Sequence, residues 1–287
     1  MNYLVWLGQP ICQEVSLTGG KAANLGKLAA RYPVPPGFCL TTQAHSRWGG
    51  EDGAEFRDLL ATAYTELAER TQTPLPRVAV RSSALGEDSH DASFAGQYET
   101  FLNVQGVEAL ADAVLRCWEM ARSERVAVYQ QQQNGTAESR TTENRVAVLV
   151  QALVPADSSF VAFSADPISG ERGRVVINAN WGLGESVVSG LATPDAYAVD
   201  KAGGALLSQT IGAKECMTVV SEEGVRTVAV PRFLRARPAL NETQVAAVAA
   251  LATKLESEMG WPVDIEGAFQ GETLYLLQCR PISTLMG

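Results

Sequence analysis

The sequence contains no CxxC pair, and its five cysteines (Cys12, Cys39, Cys117, Cys216, Cys279) are odd in number and widely scattered. That excludes the usual zinc spacings and offers no disulfide framework, so reduced thiols in a cytoplasmic protein are expected. A basic leader is also missing, because MNYLVWLGQP reaches Pro10 without a positive charge. Long apolar runs are absent: the stretches around Val146–Val154 and Val245–Leu255 are too short or too interrupted to span a bilayer, so no membrane partner is expected. Positive charge is scarce, with 23 Lys and Arg against 32 Asp and Glu and a net charge of −9. Such a chain repels a phosphodiester backbone, and its nearest basic cluster, Arg232, Arg235 and Arg237, is broken by apolar residues. Nucleic acid is therefore not an expected partner.

What is present is a globular composition, 46% hydrophobic over 287 residues, long enough for one large domain or two lobes. Leu25, Leu28, Ala29 and Tyr32 keep helical spacing after Gly19-Gly20-Lys21, and Pro33, Pro35, Pro36 and Gly37 stop that helix. The stripe Phe56, Leu59, Leu60, Ala63, Tyr64 and Leu67 predicts an amphipathic helix over 54–70. A strand at 78–82 runs into a loop rich in Gly, Ser and Asp, and residues 107–130 return to helical period. The polar tract 130–144 reads as a solvated connection between an N-terminal lobe, 1–140, and a C-terminal lobe, 145–287. Strands are expected at 145–151, 160–165, 174–179, 196–200, 263–269 and 273–279, with a helix at 242–259. Strands and helices mix without strict alternation, which favours α+β over a doubly wound sheet.

Near the C-terminus, Asp264 and Glu266 share one face of a strand by its period of two. If Gln270-Gly271-Glu272 is a three-residue hairpin loop, Asp264 lies opposite Gln278, and Asp264, Glu266, Gln278 and Arg280 share that face. A two-residue loop would send Gln278 to the other side. Two carboxylates, an amide oxygen and a guanidinium suit a triphosphate with magnesium. An exposed sheet face carrying an ordinary salt bridge fits the same pattern. Upstream, Lys21 follows two glycines at a helix start, which suits either an anion site or a plain surface helix; no Walker A loop is present. Arg81 ends an apolar strand, as a capped strand end or as a ligand contact. The loop 89–97 suits a flap over phosphates or a plain connection.

Together these segments resemble the nucleotide-binding domain of the pyruvate phosphate dikinase, phosphoenolpyruvate synthase and rifampin phosphotransferase family. The resemblance rests on GGKAANLGKL (19–28), PVPPGF (33–38), VAVRSSALGEDSHDASFAGQYETFLNV (78–104), VLVQALVPAD (148–157), VAFSADPISGERG (161–173), NWGLGESVVSGLATPDAYAV (180–199) and DIEGAFQGETLYLLQCRPIS (264–283). These segments run in the family's order over nearly the whole chain. The resemblance implies an ATP-grasp fold of two lobes clasping ATP, with Mg²⁺ as cofactor. It implies that Lys21 and Arg81 contact phosphates, that Gly96 and Thr100 belong to a covering loop, and that Gln151, Leu153 and Val154 hold adenine. By the same analogy Glu266 and Gln278 bind metal and phosphate with Asp264 in support, and Arg280 stabilises charge on the group transferred.

Two departures stand out. Relatives often have Gly where this chain has Phe160, and a Trp after the DIE motif, where Gly267-Ala268 stands here. The family's phosphohistidine motif is also missing: His45 and His90, the only histidines, match it in neither case and read as ordinary surface residues. The expected activity is thus ATP-dependent phosphoryl or pyrophosphoryl transfer to a histidine on a separate protein, or directly to a small molecule. The same absence would follow if the sequence were a piece of a longer chain. A nucleotide-binding regulatory subunit without turnover is the alternative, and an ATP-grasp ligase shares the fold but not these motifs.

Overall fold

Apolar residues alternate or recur at helical spacing along most of the chain, and two separate sheets collect them. The computed structural model describes residues 2–50, 52–84, 100–132, 145–222 and 224–285, with backbone only over 122–132. It forms two compact units, Met1–Ala30 with Pro36–Leu153 and Arg31–Pro35 with Val154–Gly287. The flap 89–97, with Gly96 and His90, and most of the polar tract lie outside the described residues.

The first unit contains β1 (Leu4–Trp6), α1 (Val15–Leu28), β2 (Gly37–Leu40), α2 (Thr42–Trp48), α3 (Ala54–Thr71), β3 (Arg77–Ser83), β4 (Thr100–Gln105), α4 (Val107–Gln132) and β5 (Ala147–Ala152). Its sheet runs β1-β2-β5-β3-β4, antiparallel throughout. The predicted stripe of α3 is buried through Phe56, Leu60, Ala63, Tyr64 and Leu67, against Val78, Val80, Val148 and Val150 of the sheet and Trp118 of α4. Each such Leu or Phe contributes about 1.5–3 kcal/mol of burial.

His45 is not the surface histidine expected. It is half-buried, stacks on Trp118 at 5.5 Å, and its Nδ1 accepts the Val146 N–H at 2.8 Å. Trp118 Nε1 donates to the Val146 carbonyl at 3.0 Å, so these two rings hold the chain where it enters β5. Cys12 and Cys39 also lie in this unit. Burial pushes the Cys12 thiol up to about 12 and the Cys39 thiol well above its usual range, which keeps both protonated and inert.

The second unit contains β6 (Ser158–Phe163), β7 (Arg174–Trp181), α5 (Glu185–Val188), β8 (Asp195–Asp200), β9 (Leu206–Thr210), β10 (Cys216–Ser221), β11 (Gly224–Ala229), α6 (Arg232–Arg235), α7 (Glu242–Met259), β12 (Val263–Gln270) and β13 (Thr273–Pro281). Its sheet runs β13-β12-β6-β7-β8-β9, with β10–β11 as a separate ribbon. Helix α7 spans the residues predicted. Asn241 and Gln244 form its capping box, Gly260 ends it at φ 78, and Val245, Val248, Ala252 and Leu255 are buried. One face of the sheet, including Ile265, Ala162, Ile177 and Tyr197, is buried beneath this helix. Residues 31–35 complete the unit from the far end of the chain. Pro33 accepts from the Leu276 N–H at 3.1 Å, and Arg31 pairs with Glu258 at 3.1 Å.

The two departures from the family pattern are register partners on that same buried face, Phe160 opposite Gly267. A Cβ on Gly267 would lie 2.3 Å from the Phe160 ring and 2.7 Å from the Tyr275 carbonyl oxygen. The Phe160 ring fills the space beside Gly267, on the side away from the polar face. A second buried feature is the ion pair Lys214–Asp195, both side chains fully enclosed. Asp195 also accepts the Gly212 N–H at 2.8 Å and the Ala239 N–H at 2.7 Å, which ties β8 to the chain entering α7.

Urea denaturation tests both features. Asp195→Ala should lose about 3–5 kcal/mol by stranding the Lys214 charge. Exchanging both Asp195 and Lys214 for apolar residues should not recover this, because the Gly212 and Ala239 N–H groups stay unmet. Gly267→Ala should cost about 1–3 kcal/mol by overpacking. That cost should be smaller in a Phe160→Leu background, with a coupling of about 0.5–3 kcal/mol in a double-mutant cycle.

Candidate functional site

In the first unit, Gly19 breaks α1 with φ 73 and lies so close to β3 that a Cβ would stand 2.0 Å from the Ser83 carbonyl oxygen. Only glycine fits there. The following residues are tied to the same strand end: Gly20 N–H to Ala84 O at 3.2 Å, Ala22 N–H to Ser83 Oγ at 3.2 Å, and Lys21 Nζ to Ser82 O at 3.4 Å. The helix start thus spends two of its N–H groups on Ser83 and Ala84 at the end of β3, and what it presents is the Lys21 ammonium. Arg81 is one residue from Ser82, and Thr100 is its register partner on β4, so Lys21, Arg81 and Thr100 are brought to one place. The residues between Ser83 and Thr100 that the sequence assigns to a covering loop lie almost wholly outside the described ones.

Gln151 is buried in β5 between Gly37 of β2 and Ala79 of β3. A Cβ on Gly37 would stand 2.6 Å from the Val150 carbonyl oxygen, so the glycine of PVPPGF permits this close strand approach. Leu153 N–H donates to Arg77 O at 2.8 Å. Val154 is buried and begins the second unit's longer segment.

In the second unit the hairpin loop corrects the register expected. The turn holds two residues, Gly271 and Glu272, since Gln270 pairs with Thr273. Gly271, at φ 58, makes the short turn possible. By simple alternation Gln278 would then face away. A bulge prevents this: Gly267 pairs with Leu276 but Glu266 pairs with Gln278, leaving Leu277 as the extra residue. Beyond the bulge Asp264 pairs with Arg280. Directly opposed residues of an antiparallel pair share a face, so the four polar residues come together on one face as expected, by a different route. The face they occupy is the one turned away from α7. Asn178, passed over in the sequence, lies in the same row as Glu266 through Val161.

Within this group Arg280 Nε donates to Asp264 Oδ2 at 2.8 Å, with Asp264 buried and Arg280 about one-third exposed. The carboxylate therefore orients the guanidinium. Glu266 is half-buried beside the buried Gln278. Among the described residues, no group of three or more His, Cys, Asp or Glu is placed to hold a metal ion. The donors fit magnesium nonetheless, because Mg²⁺ takes one or two carboxylates and fills its octahedron with phosphate oxygens and water. Among the described residues no helix is long and apolar enough to cross a membrane.

Known proteins similar to this chain fall into one family. Residues 51–286 match the family described as pyruvate phosphate dikinase, AMP/ATP-binding domain. The chain is 36% identical to the probable phosphoenolpyruvate synthase of Methanothermobacter thermautotrophicus, over 99% of its own length and 46% of the relative's. It is also 36% identical to the uncharacterized phosphotransferase YvkC of Bacillus subtilis, over 95% of this chain and 34% of that one. A third relative, the prodigiosin synthesizing transferase PigC of Serratia marcescens, is 36% identical over 93% of this chain and 31% of its own. The chain thus spans less than half the length of these relatives. This α+β chain belongs to the pyruvate phosphate dikinase AMP/ATP-binding domain family, and its fold class is ATP-grasp.

Proposed function

We propose that this chain binds ATP with Mg²⁺ and cleaves it, passing a phosphoryl or pyrophosphoryl group to an acceptor. The acceptor is a histidine on a separate protein or a small molecule. The observation that carries this reading is the Glu266/Gln278 and Asp264/Arg280 pairing on one sheet face, in a chain of an ATP-binding family. Nothing in that reading requires a protein nucleophile. Phosphoryl transfer proceeds by positioning and by neutralising charge on the phosphate oxygens and the leaving group.

The residues divide the work. Lys21 and Arg81 supply cations to the phosphates. Glu266 and Gln278 would hold the metal, which would neutralise charge on the phosphates. Asp264 keeps Arg280 in place, and Arg280 meets the charge that develops on the transferring group. Gln151, Leu153 and Val154 receive the adenine, and Gly96 with Thr100 covers the phosphates.

The test is phosphorus NMR of ATP incubated with the chain and Mg²⁺, with and without a phosphohistidine-domain protein. AMP formed only with the partner identifies a split enzyme, and ADP plus a phosphorylated metabolite identifies a direct kinase. Lys21→Ala and Arg280→Ala are each expected to lower turnover by about 100-fold or more, as for loss of a charge-stabilising donor. Turnover unchanged in both would sink the site assignment. Tight ATP binding with no cleavage under any condition would instead make the chain a nucleotide-sensing subunit.

A further inference from the structure

Asp157 has no part in the chemistry above, yet it is bonded at three points. It stands one residue before β6. Its N–H donates to Phe269 O at 2.9 Å, and its carbonyl accepts the Gly182 N–H at 2.9 Å. Its carboxylate Oδ2 accepts the N–H of Gly271 at 2.7 Å. Gly271 opens the two-residue turn between β12 and β13, and its own carbonyl accepts from Gln244 Nε2, in the capping box of α7, at 3.4 Å. Gly271 is therefore held at both its N–H and its carbonyl, and the bond to the carboxylate is the shorter, charge-assisted one.

We propose that Asp157 is a positioning residue for the metal-binding pair. Its carboxylate fixes the turn at Gly271-Glu272, and so fixes the register in which the Leu277 bulge sets Gln278 opposite Glu266. Two alternatives compete for this hairpin. A three-residue loop would set Gln278 opposite Asp264 and Leu276 opposite Glu266. A two-residue turn without the bulge would set Leu277 opposite Glu266. In the first, Gly271 becomes the middle of the loop and leaves the carboxylate. In the second the turn is kept but the pair is broken. The native arrangement needs the turn held and the extra residue placed beyond Gly267. Asp157 acts on the turn from the residue just before β6, which is itself paired with β12 from Ser158 to Phe163.

This inference rests on the Mg²⁺-ATP reading only for its consequence, and the experiment separates the two. Wild-type chain, Asp157→Ala and Asp157→Asn are compared by amide hydrogen exchange without ligand, and by calorimetric ATP binding across a Mg²⁺ titration and in EDTA. In Asp157→Ala, exchange at Gly271 and Gln278 should quicken, and the Mg²⁺ concentration for half-maximal ATP binding should rise by about 10-fold or more, the usual loss when a residue supporting a metal ligand is removed. Binding in EDTA should not change. Asp157→Asn keeps an acceptor oxygen and should stay within about 3-fold of wild type, a small fraction of that loss. Asp157→Ser, too short to reach Gly271, replaces the alanine variant if that one does not fold. Unaltered exchange at Gln278, or an equal loss of ATP binding with and without Mg²⁺, overturns the proposal. If the wild type shows no Mg²⁺-dependent ATP binding, the function reading fails, while the exchange data still decide whether Asp157 sets the register.

Discussion

A strand shows its side chains alternately to two faces, and one residue gained or lost between a turn and a site turns every side chain beyond it over. The β12–β13 hairpin has to satisfy this rule twice. Its turn is short because Gly271 takes a left-handed conformation, and at that length plain alternation buries the wrong residues. The extra residue Leu277 restores the phase just before Gln278. Both faces depend on it. Ile265 and Cys279 stay buried on the α7 side while Glu266, Gln278, Asp264 and Arg280 stay together on the other.

Electrostatics explains why these four residue types need one another. Asp264 and Glu266 are two positions apart on one strand, roughly 6.6 Å at the usual rise, and two carboxylates so close oppose each other's charge. Arg280 takes up the first, through a bond from Nε to a buried oxygen. Counting Asp264 and Glu266 as −1 each, Arg280 as +1 and Gln278 as neutral, the group carries −1. A single net negative charge beside an amide oxygen can share a divalent cation with a triphosphate without repelling the phosphates strongly. A full acidic cluster would hold the metal more tightly and the nucleotide less well.

The long helices α3 and α7 were legible because their signals are local, whereas α1 ends at Leu28 and not at Tyr32 as its spacing suggested. Phe56 to Leu67 and Val245 to Leu255 each write their period along one segment, and α3 and α7 end within a residue of the spans predicted. Strands β9, β10 and β11 were not legible. β9 is exposed along its whole length, and the ribbon is at most half-buried over most of its residues, so neither alternates against a core. The bulge left no mark in the sequence either, since Leu276 and Leu277 are alike and only pairing tells them apart. His45 read as a surface residue because its partners, Trp118 and Val146, lie far along the chain. For the same reason Phe160 and Gly267 looked like two separate oddities. Three-dimensional pairing makes them neighbours, the Phe160 ring filling the space beside Gly267 on the side away from the polar face.

Connectivity adds a constraint of its own. The chain passes between the two units at Ala30–Arg31, at Pro35–Pro36 and at Leu153–Val154. The short segment 31–35 is not a slack link. Pro33 holds the Leu276 N–H, Arg31 pairs with Glu258, and the Lys254 ammonium lies 5.1 Å from the Tyr32 ring. Burial, reinforced by Glu258, pushes the Tyr32 phenol up to about 12, so the ring stays neutral where it packs. Leu276 is the last paired residue before the bulge. The stretch that leaves the Lys21 helix therefore hydrogen-bonds the strand bearing Gln278 and Arg280, at the point where that strand changes phase. The strand leading from the turn to the bulge is held by Asp157 at Gly271 and by Pro33 at Leu276. A bulge of this kind keeps one register because its surroundings fix the strand on either side of it.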